Sequence, residues 1–167
     1  MIRKIVFATD LGPFAGHALE HALDLAANIK SKVTVVHAVE PLSSYAQAMV
    51  SAYAELEALD PHGSVLKSIK HQILTSLASE RSDLKPGYDW IEDVVVEQGK
   101  PAEVILSQAQ RLNADLIVMG SHGPESMGKN VIGSVTSRVL QLSKVPVFMV
   151  PMISPSNWCR VASEVVR

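Results

Sequence analysis

Short apolar runs alternate along this chain with longer segments of helical periodicity. The runs are rich in β-branched residues and almost continuously hydrophobic, which predicts strands that are buried on both faces. The predicted strands are residues 2–8, 33–39, 91–97, 115–119 and 145–150. The segments between them repeat apolar positions every three or four residues, which predicts helices that face a core. The predicted helices of this kind are residues 14–30, 101–112 and 134–143.

The region between the second and third predicted strands is longer than one helix. Its composition favours helix over residues 42–82, with a break at the Asp-Pro-His-Gly of residues 60–63, because proline disfavours helical geometry in the residue before it. Apolar residues in the first half alternate spacings of three and four. This half therefore either packs on the core or forms a short zipper with a partner chain. Residues 152–167 are either a short helix docked through Trp158 or a frayed end.

The alternation of strands and helices predicts an α/β fold. We expect a doubly wound, five-stranded, mostly parallel sheet flanked by helices on both faces, which is a three-layer α/β/α sandwich. Residues 1–151 would form this domain, and residues 152–167 would form a C-terminal tail. Ligands of such sheets bind at the carboxyl ends of strands, near the point where the strand order reverses. The loops after the first, second and fourth strands are therefore the candidate binding loops.

Composition and charge narrow the class of protein. The 167 residues are 47% hydrophobic and 19% charged, and the net charge of −2 offers no basic surface for nucleic acid or for an anionic membrane. The apolar runs are too short to span a bilayer, and the first ten residues show no signal-peptide pattern. The single cysteine, Cys159, excludes an intrachain disulfide and suits a reducing compartment. We therefore expect a cytoplasmic protein that binds neither nucleic acid nor membrane.

A glycine-rich loop follows the fourth predicted strand. Its four glycines fall within fourteen positions and are Gly120, Gly123, Gly128 and Gly133. Glycine permits tight turns and lets a ligand approach the backbone closely. The helix that begins after Gly133 aims unpaired N–H groups and the positive end of its dipole at the same space. Together these features predict an anion site, and phosphate is the anion that such sites commonly bind.

The same loop comes close to the phosphate loop of P-loop NTPases. Residues 123–130 match the pattern G-x-x-x-x-G-K-[ST] except at the last position, where Asn130 replaces the hydroxyl residue that holds Mg²⁺. Only one further parallel strand follows, which leaves little room for the rest of an NTPase. The sequence therefore argues against that class. Lys129 either reaches a phosphate or is an ordinary solvated lysine.

A second pattern in this loop is longer and more specific. Gly120 and Gly123 are separated by two residues, and a nine-residue spacer then leads to Gly133 and Ser134. This G-x-x-G, nine-residue spacer, G-[ST] pattern closely resembles the ATP-binding branch of the universal stress protein family. Residues 5–10 and 33–38 are similar to other signatures of that family, and the resemblance covers residues 1–151.

The resemblance implies a nucleotide site assembled from the ends of several strands. The residues that it implies for the triphosphate and the ribose are Gly120, Gly123, Gly133 and Ser134. It also implies that Asp10 lies near the nucleoside and that Ala38 offers backbone groups to the adenine edge. The implied ligand is ATP or a related adenine nucleotide. We expect Mg²⁺ to accompany the triphosphate, because the sequence supplies few positive side chains around the site.

For some of these residues, side-chain chemistry and position also suggest a role independently of the resemblance. A carboxylate at the end of a strand, such as Asp10, can accept hydrogen bonds from ribose hydroxyls, cap the following helix, or do both. Val135 continues the helix start and lends a backbone N–H. His122 either touches a phosphate or stabilises the loop. His17 and His21 have the spacing of a metal pair, but no third ligand is apparent, so surface histidines are favoured.

Three functional hypotheses follow from the sequence. The first is a regulatory protein of the universal stress class whose conformation and dimer surface depend on a bound nucleotide. The second is a slow ATPase or self-phosphorylating enzyme with Ser121, Ser134 or Thr136 as acceptor. The third is an interaction protein that works without nucleotide. The intact loop argues against the third, and the lack of a nucleophile–base–orienter set argues against the second.

The final predicted strand, residues 145–150, is apolar and is expected at an edge of the sheet. Such an edge must be covered or paired. Pro146 and Pro151 remove backbone donors at both ends, which favours a closed pair over open-ended stacking. We therefore expect a homodimer through this strand, as the family resemblance also implies. The alternative is that residues 152–167 cover the edge within one chain.

Overall fold

The computed structural model describes residues 1–12, 14–41, 43, 66–75, 88–122 and 132–151. The strands are β1 (Lys4–Thr9), β2 (Lys32–Val39), β3 (Ile91–Gln98), β4 (Leu116–Gly120) and β5 (Val147–Val150). The helices are α1 (Ala15–Ile29), α2 (residues 66–75), α3 (Pro101–Arg111) and α4 (Ser134–Leu142), with a 3₁₀ turn at Tyr88–Trp90 before β3. Every strand predicted from the apolar runs is present, and so are the three helices predicted by periodicity.

The five strands form one sheet in the order β3-β2-β1-β4-β5. All four pairings between neighbouring strands are parallel. The strand order reverses at β1, because the chain runs outward from β1 to β2 and β3 and then returns to place β4 on the other side of β1. This is the doubly wound arrangement, and the sheet expected to be mostly parallel is parallel throughout.

The two faces of the sheet carry two separate hydrophobic cores. In β1, Ile5 and Phe7 point into the core that α1 and α2 cover. The alternate residues Val6 and Ala8 point into the core that α3 and α4 cover. Successive side chains of a strand lie on opposite faces, so a strand between two helical layers must be apolar at every position. The predicted three-layer α/β/α sandwich is therefore confirmed.

Asp115 joins the amino-terminal ends of the central strands. Its Oδ2 accepts hydrogen bonds from the backbone N–H groups of Arg3 at 2.8 Å and Lys4 at 3.1 Å. These two bonds, first that from Arg3 and then that from Lys4, hold the pKa of the Asp115 carboxyl below its usual value. The Asp115 N–H donates in turn to the Lys4 carbonyl at 2.9 Å. This Asp115 clamp lies at the edge of the sheet opposite the binding loops.

Strand β5 begins two residues later than the sequence predicted. Proline has no N–H to donate, and the Val145 N–H donates to the Ser143 hydroxyl at 3.2 Å instead of to a neighbouring strand. The Pro146 carbonyl still accepts from the Ile117 N–H at 3.0 Å, so the ladder starts there. The break at residues 60–63, the possible zipper and the tail at residues 152–167 lie outside the described residues. No helix in the described ranges is long and apolar enough to cross a membrane.

Candidate ligand-binding cleft

A cleft of about 360 Å³ opens at the carboxyl edge of the sheet, where β1 and β4 lie side by side. The chain leaves β1 for α1 on one face and leaves β4 for α4 on the other, so the two connections part and a space remains between them. Residues at the starts of α1, α3 and α4 complete the walls. The volume falls within the roughly 300–1,000 Å³ of small-molecule sites.

Apolar side chains form the buried part of this cleft. Phe7 and Ala8 of β1, Val36 of β2 and Met119 of β4 are buried residues that line it. Ile105 of α3 adds a further apolar surface. An apolar wall with a few polar groups at its rim suits a planar organic ring better than a highly charged group. A mixed ligand would therefore place its uncharged part here.

Asp10 follows β1 and faces the cleft. Its Oδ1 accepts a hydrogen bond from the Gly12 N–H at 2.8 Å, and the neighbouring Thr9 hydroxyl accepts one from the Leu11 N–H at 3.0 Å. These bonds hold a tight turn in which Leu11 has a φ of 58°. Helix α1 begins after Phe14 with no side-chain cap, so Asp10 is not the helix cap that the sequence allowed. The exposed carboxylate is oriented by its own turn and remains open to a ligand.

Three hydrogen bonds join the N-terminus of α4, the end of β4 and the end of β5. The buried Thr136 hydroxyl donates to the Gly120 carbonyl at 2.9 Å. The Gly133 N–H donates to the Ser121 carbonyl at 2.8 Å, and the Ser121 N–H donates to the Val150 carbonyl at 2.8 Å. Strand β4, strand β5 and helix α4 are thereby held together at one point. The first turn of α4, which lines the cleft, is consequently held against the ends of both strands.

The first turn of α4 presents backbone donors to the cleft. Gly133 is the N-cap, no side chain caps the helix, and residues 133–136 all line the cleft. The first N–H groups of a helix have no partner within the helix, and the helix dipole places partial positive charge there. An anion at this end of the cleft would be stabilised by both.

His122 lines the cleft directly beside this helix start. Its ring Nδ1 lies 2.7 Å from the Ser121 Oγ. The other ring nitrogen, Nε2, is buried and has no hydrogen-bond partner among the residues that the structure describes. Ser121 is only 4% exposed, so it is not presented to a ligand as a nucleophile, and no carboxylate orients the ring. The pair does not form the nucleophile–base–orienter set of a hydrolase.

The charged side chains of the cleft are unevenly distributed. Asp10 and Glu40, at the ends of the adjacent strands β1 and β2, are acidic. The described lining residues include no lysine or arginine. The positive end of the cleft is therefore the start of α4, where the helix dipole places partial positive charge and no side chain caps the helix. This polarity would orient a ligand with its anionic part at α4 and its hydroxyl-rich part near the carboxylates.

Most residues that the sequence singled out come together in this cleft. The described ones that line it are Asp10, Ala38, Gly120, His122, Gly133, Ser134 and Val135. Gly123 and Lys129 lie outside the described residues. His17 and His21 stack edge to face at 4.7 Å between ring centroids, and no group of three metal-ligating side chains occurs in the part of the chain described.

Sequence reasoning missed three features of the cleft. Glu40 was not singled out, although its position directly after a buried strand is a signal that could have found it. Pro101 was recognised as a helix start but not as part of the wall. Thr136 was considered only as a possible phosphate acceptor, whereas its hydroxyl holds the Gly120 carbonyl. That contact spans sixteen residues, and no local pattern marks it.

The fold and the cleft define a parallel α/β protein with a ligand-sized space at the reversal of strand order. Comparison with known proteins gives the family. The model of the universal stress protein family matches residues 1–151, and the chain belongs to this family. Among curated relatives, universal stress protein A homolog 2 of Coxiella burnetii is 31% identical over 149 residues, covering 89% of this chain and 94% of the relative.

Solved structures share the fold. The structure of protein MJ0577 of Methanocaldococcus jannaschii aligns with a TM-score of 0.68 at 24% identity, covering 92% of this chain and 99% of the other. A universal stress protein solved in complex with cAMP aligns with a TM-score of 0.56 at 23% identity, covering 90% and 97%. At these identities, the likeness establishes the architecture, and the ligand is a property of that other protein.

Proposed function

We propose that this protein binds an adenine nucleotide, with ATP as the principal candidate, in the cleft between β1 and β4. The observation that carries the proposal is the polarity of the cleft, which has an apolar wall, carboxylates at the β1 and β2 ends and a helix start without a side-chain cap at the β4 end. A nucleotide has the matching sequence of parts: a planar base, a ribose and a phosphate chain. The relative solved with cAMP is consistent with this ligand class.

Each part of the nucleotide has a complementary group in the cleft. The adenine would lie against the apolar wall, with the backbone of Ala38 at its edge. The ribose hydroxyls would donate to Asp10, which already stands in an oriented turn. The phosphates would lie over Gly120 and accept from the N–H groups that follow Gly133. Gly123 would extend this cradle, and Lys129 is a further candidate for a phosphate contact.

The protein would act as a regulator in the stress response rather than as an efficient enzyme. Nucleotide occupancy would shift the population of conformations around the cleft and so alter an exposed or dimer surface. Of the three acceptors considered for self-phosphorylation, the Thr136 hydroxyl already donates to Gly120 and Ser121 is buried, which leaves the exposed Ser134 as the remaining candidate. We expect ATP turnover below about 1 per second, the low end of ordinary enzymes, measured by phosphate release.

Release of bound nucleotide tests the ligand class. The purified protein would be denatured, and the supernatant analysed by chromatography and mass spectrometry. Calorimetric titration of nucleotide-free protein with ATP, ADP, AMP and cAMP then ranks the ligands. We expect an adenine nucleotide to bind with micromolar or tighter affinity and inosine nucleotides to bind more weakly. If protein with a normal circular dichroism spectrum binds none of the adenine nucleotides, the proposal is ruled out.

A further inference from the structure

We propose that the His122 imidazole donates a hydrogen bond from Nε2 to a phosphate of the bound nucleotide, and that Ser121 is the positioning residue that makes this possible. This inference rests on the proposed nucleotide site and adds to it a side-chain donor and the reason for its orientation. His122 is the single imidazole among the described residues that line the cleft, where lysine and arginine are lacking.

The position of Ser121 is fixed by the sheet. Its N–H donates to the Val150 carbonyl and its own carbonyl accepts from the Gly133 N–H, both at 2.8 Å, and the residue is buried. Its hydroxyl therefore stands at a defined place, 2.7 Å from the Nδ1 of His122. A hydroxyl that donates to Nδ1 leaves the single proton of a neutral ring on Nε2. In the proposed contact, the Ser121 hydroxyl is the donor to Nδ1, and the Nε2 proton is left for the ligand.

The unsatisfied Nε2 is the observation that points to a ligand. This atom is buried and has no partner in the described parts of the chain, and a buried donor without an acceptor destabilises the protein. The carboxylates that line the cleft, Asp10 and Glu40, do not bond to it. A phosphate oxygen near the start of α4 would supply the acceptor. The same contact would add a side-chain donor to the backbone donors that follow Gly133.

Two replacements of His122 separate this role from a role in packing. The amide nitrogen of His122→Gln reaches about as far as Nε2, whereas that of His122→Asn reaches only about as far as Nδ1. We expect His122→Asn to weaken Mg²⁺–ATP binding by about tenfold, as for loss of one hydrogen bond to a charged group, and His122→Gln to retain most of the affinity. Adenosine has no phosphate, so its affinity, measured by NMR titration, should be the same for all three proteins.

The role of Ser121 is tested by NMR measurement of the protonation of the two His122 ring nitrogens. In ¹⁵N-histidine-labelled wild type, we expect His122 to carry its proton on Nε2, and in Ser121→Ala we expect a mixture of tautomers. The affinity of Ser121→Ala for Mg²⁺–ATP should fall severalfold while the affinity for adenosine stays constant. An unchanged tautomer in Ser121→Ala would overturn the positioning role.

The outcomes distinguish this inference from the proposed function. Wild type that binds ATP, together with His122→Asn of equal affinity, overturns the His122 contact and leaves the nucleotide site standing. Wild type that binds neither ATP nor adenosine overturns both. If the variants do not fold, the wild type alone decides: Mg²⁺–ATP should shift the Nε2 and attached proton resonances of His122, and adenosine should not. If Mg²⁺–ATP does not shift these His122 resonances, the inference is overturned.

Discussion

At the scale of single residues, Gly133 at the start of α4 is a glycine for which the backbone conformation gives no reason. Its φ of −58° and ψ of 151° are values that any residue can adopt. The backbone conformation therefore does not require glycine at this position. What the residue supplies is the absence of a side chain on the wall of the cleft, where the first N–H groups of the helix are reached.

A valine at this position should obstruct the phosphates. We expect Gly133→Val to weaken ATP binding by at least about a hundredfold, because its methyl groups occupy the approach to several charge-assisted hydrogen bonds. The free energy of unfolding should fall by about 1–3 kcal/mol, because Gly133 is buried and the added methyl groups must be packed there. Calorimetry measures the first effect, and urea unfolding measures the second.

Gly16→Val is the matched control for this experiment. A Cβ at Gly16 meets no atom within 4 Å, and the residue does not line the cleft. The same side chain is thus added in open space on α1, and ATP affinity should be unaltered. Wild-type affinity in Gly133→Val, with a normal circular dichroism spectrum, would refute the location of the phosphates.

Asp10 and Glu40 make the cleft acidic, and this has a consequence for metal ions. A triphosphate entering a cleft with two carboxylates and without a described lining lysine or arginine is repelled by like charges. Mg²⁺ bound to the phosphates would reduce that repulsion. We therefore expect EDTA to weaken ATP binding by about tenfold or more and to leave adenosine binding unchanged. An identical dissociation constant for ATP with and without EDTA would contradict the need for a divalent cation.

The residues of the cleft were predictable where a local pattern marks them. Gly120, Gly133 and Ser134 belong to one spaced motif, and Asp10 ends a buried strand, so each carries its own signal. The orphaned Nε2 of His122 has no such signal, because it depends on how the ring is held by a serine that two strands and a helix fix in place. Hydrogen bonds of that kind are set by tertiary packing.

At the scale of elements, the Asp115 clamp stabilises the start of the central strand pair. Because the Arg3 and Lys4 N–H groups lower the pKa of this carboxyl, the unfolded chain binds the proton more readily than the folded one. The stabilisation is therefore complete above the unfolded pKa of about 3.9 and is lost as the pH falls through the lower, folded pKa.

Replacement of Asp115 by asparagine should reveal this pH dependence. We expect Asp115→Asn to lower the free energy of unfolding near neutral pH and to approach wild type in strong acid, where both side chains are uncharged. Urea unfolding at a series of pH values measures the difference. Asp24→Asn is a suitable control, because Asp24 is exposed on α1 and the hydrogen bond described for it uses its backbone carbonyl and not its carboxylate. A difference between Asp115→Asn and wild type that does not vary with pH would show that the clamp acts without the charge.

The elements themselves were the most predictable part of the molecule. Strands that are buried on both faces must be apolar throughout, so the continuous apolar runs of β1, β2 and β4 predict these strands without knowledge of their neighbours. The first and last residues of the elements were harder to predict from the sequence. β5 starts late because the Val145 N–H donates a hydrogen bond to the Ser143 hydroxyl instead of to a neighbouring strand. The apolar pattern of the sequence does not indicate this hydrogen bond.

At the scale of the whole molecule, β5 is the outermost strand on its side of the sheet. Phe148 is 44% exposed there, and Leu140 and Leu142 of α4 are 42% and 48% exposed. We infer that a second copy of the chain pairs with this edge, because an apolar edge strand invites another strand. Light scattering should give about twice the monomer mass, and Phe148→Lys should shift the protein towards monomer because it buries charge at the contact.

The tail offers a distinct outcome for the same measurement. A wild-type monomer at micromolar concentration that dimerises only after removal of residues 152–167 would show that the tail covers the edge within one chain. Glu92→Lys on the outermost strand at the opposite side of the sheet is the control for charge reversal alone, and it should leave the mass unchanged.

The central position of β1 has a consequence for synthesis of the protein. Among the five strands of the sheet, β1 is translated first, and β2 follows it closely enough to pair with one of its edges. The other edge belongs to β4, whose Leu116 pairs with Ile5, and most of the chain must be translated before this pairing can form. Until then the nascent chain carries an apolar strand with an open edge, which is a target for chaperones and for mispairing with neighbouring nascent chains.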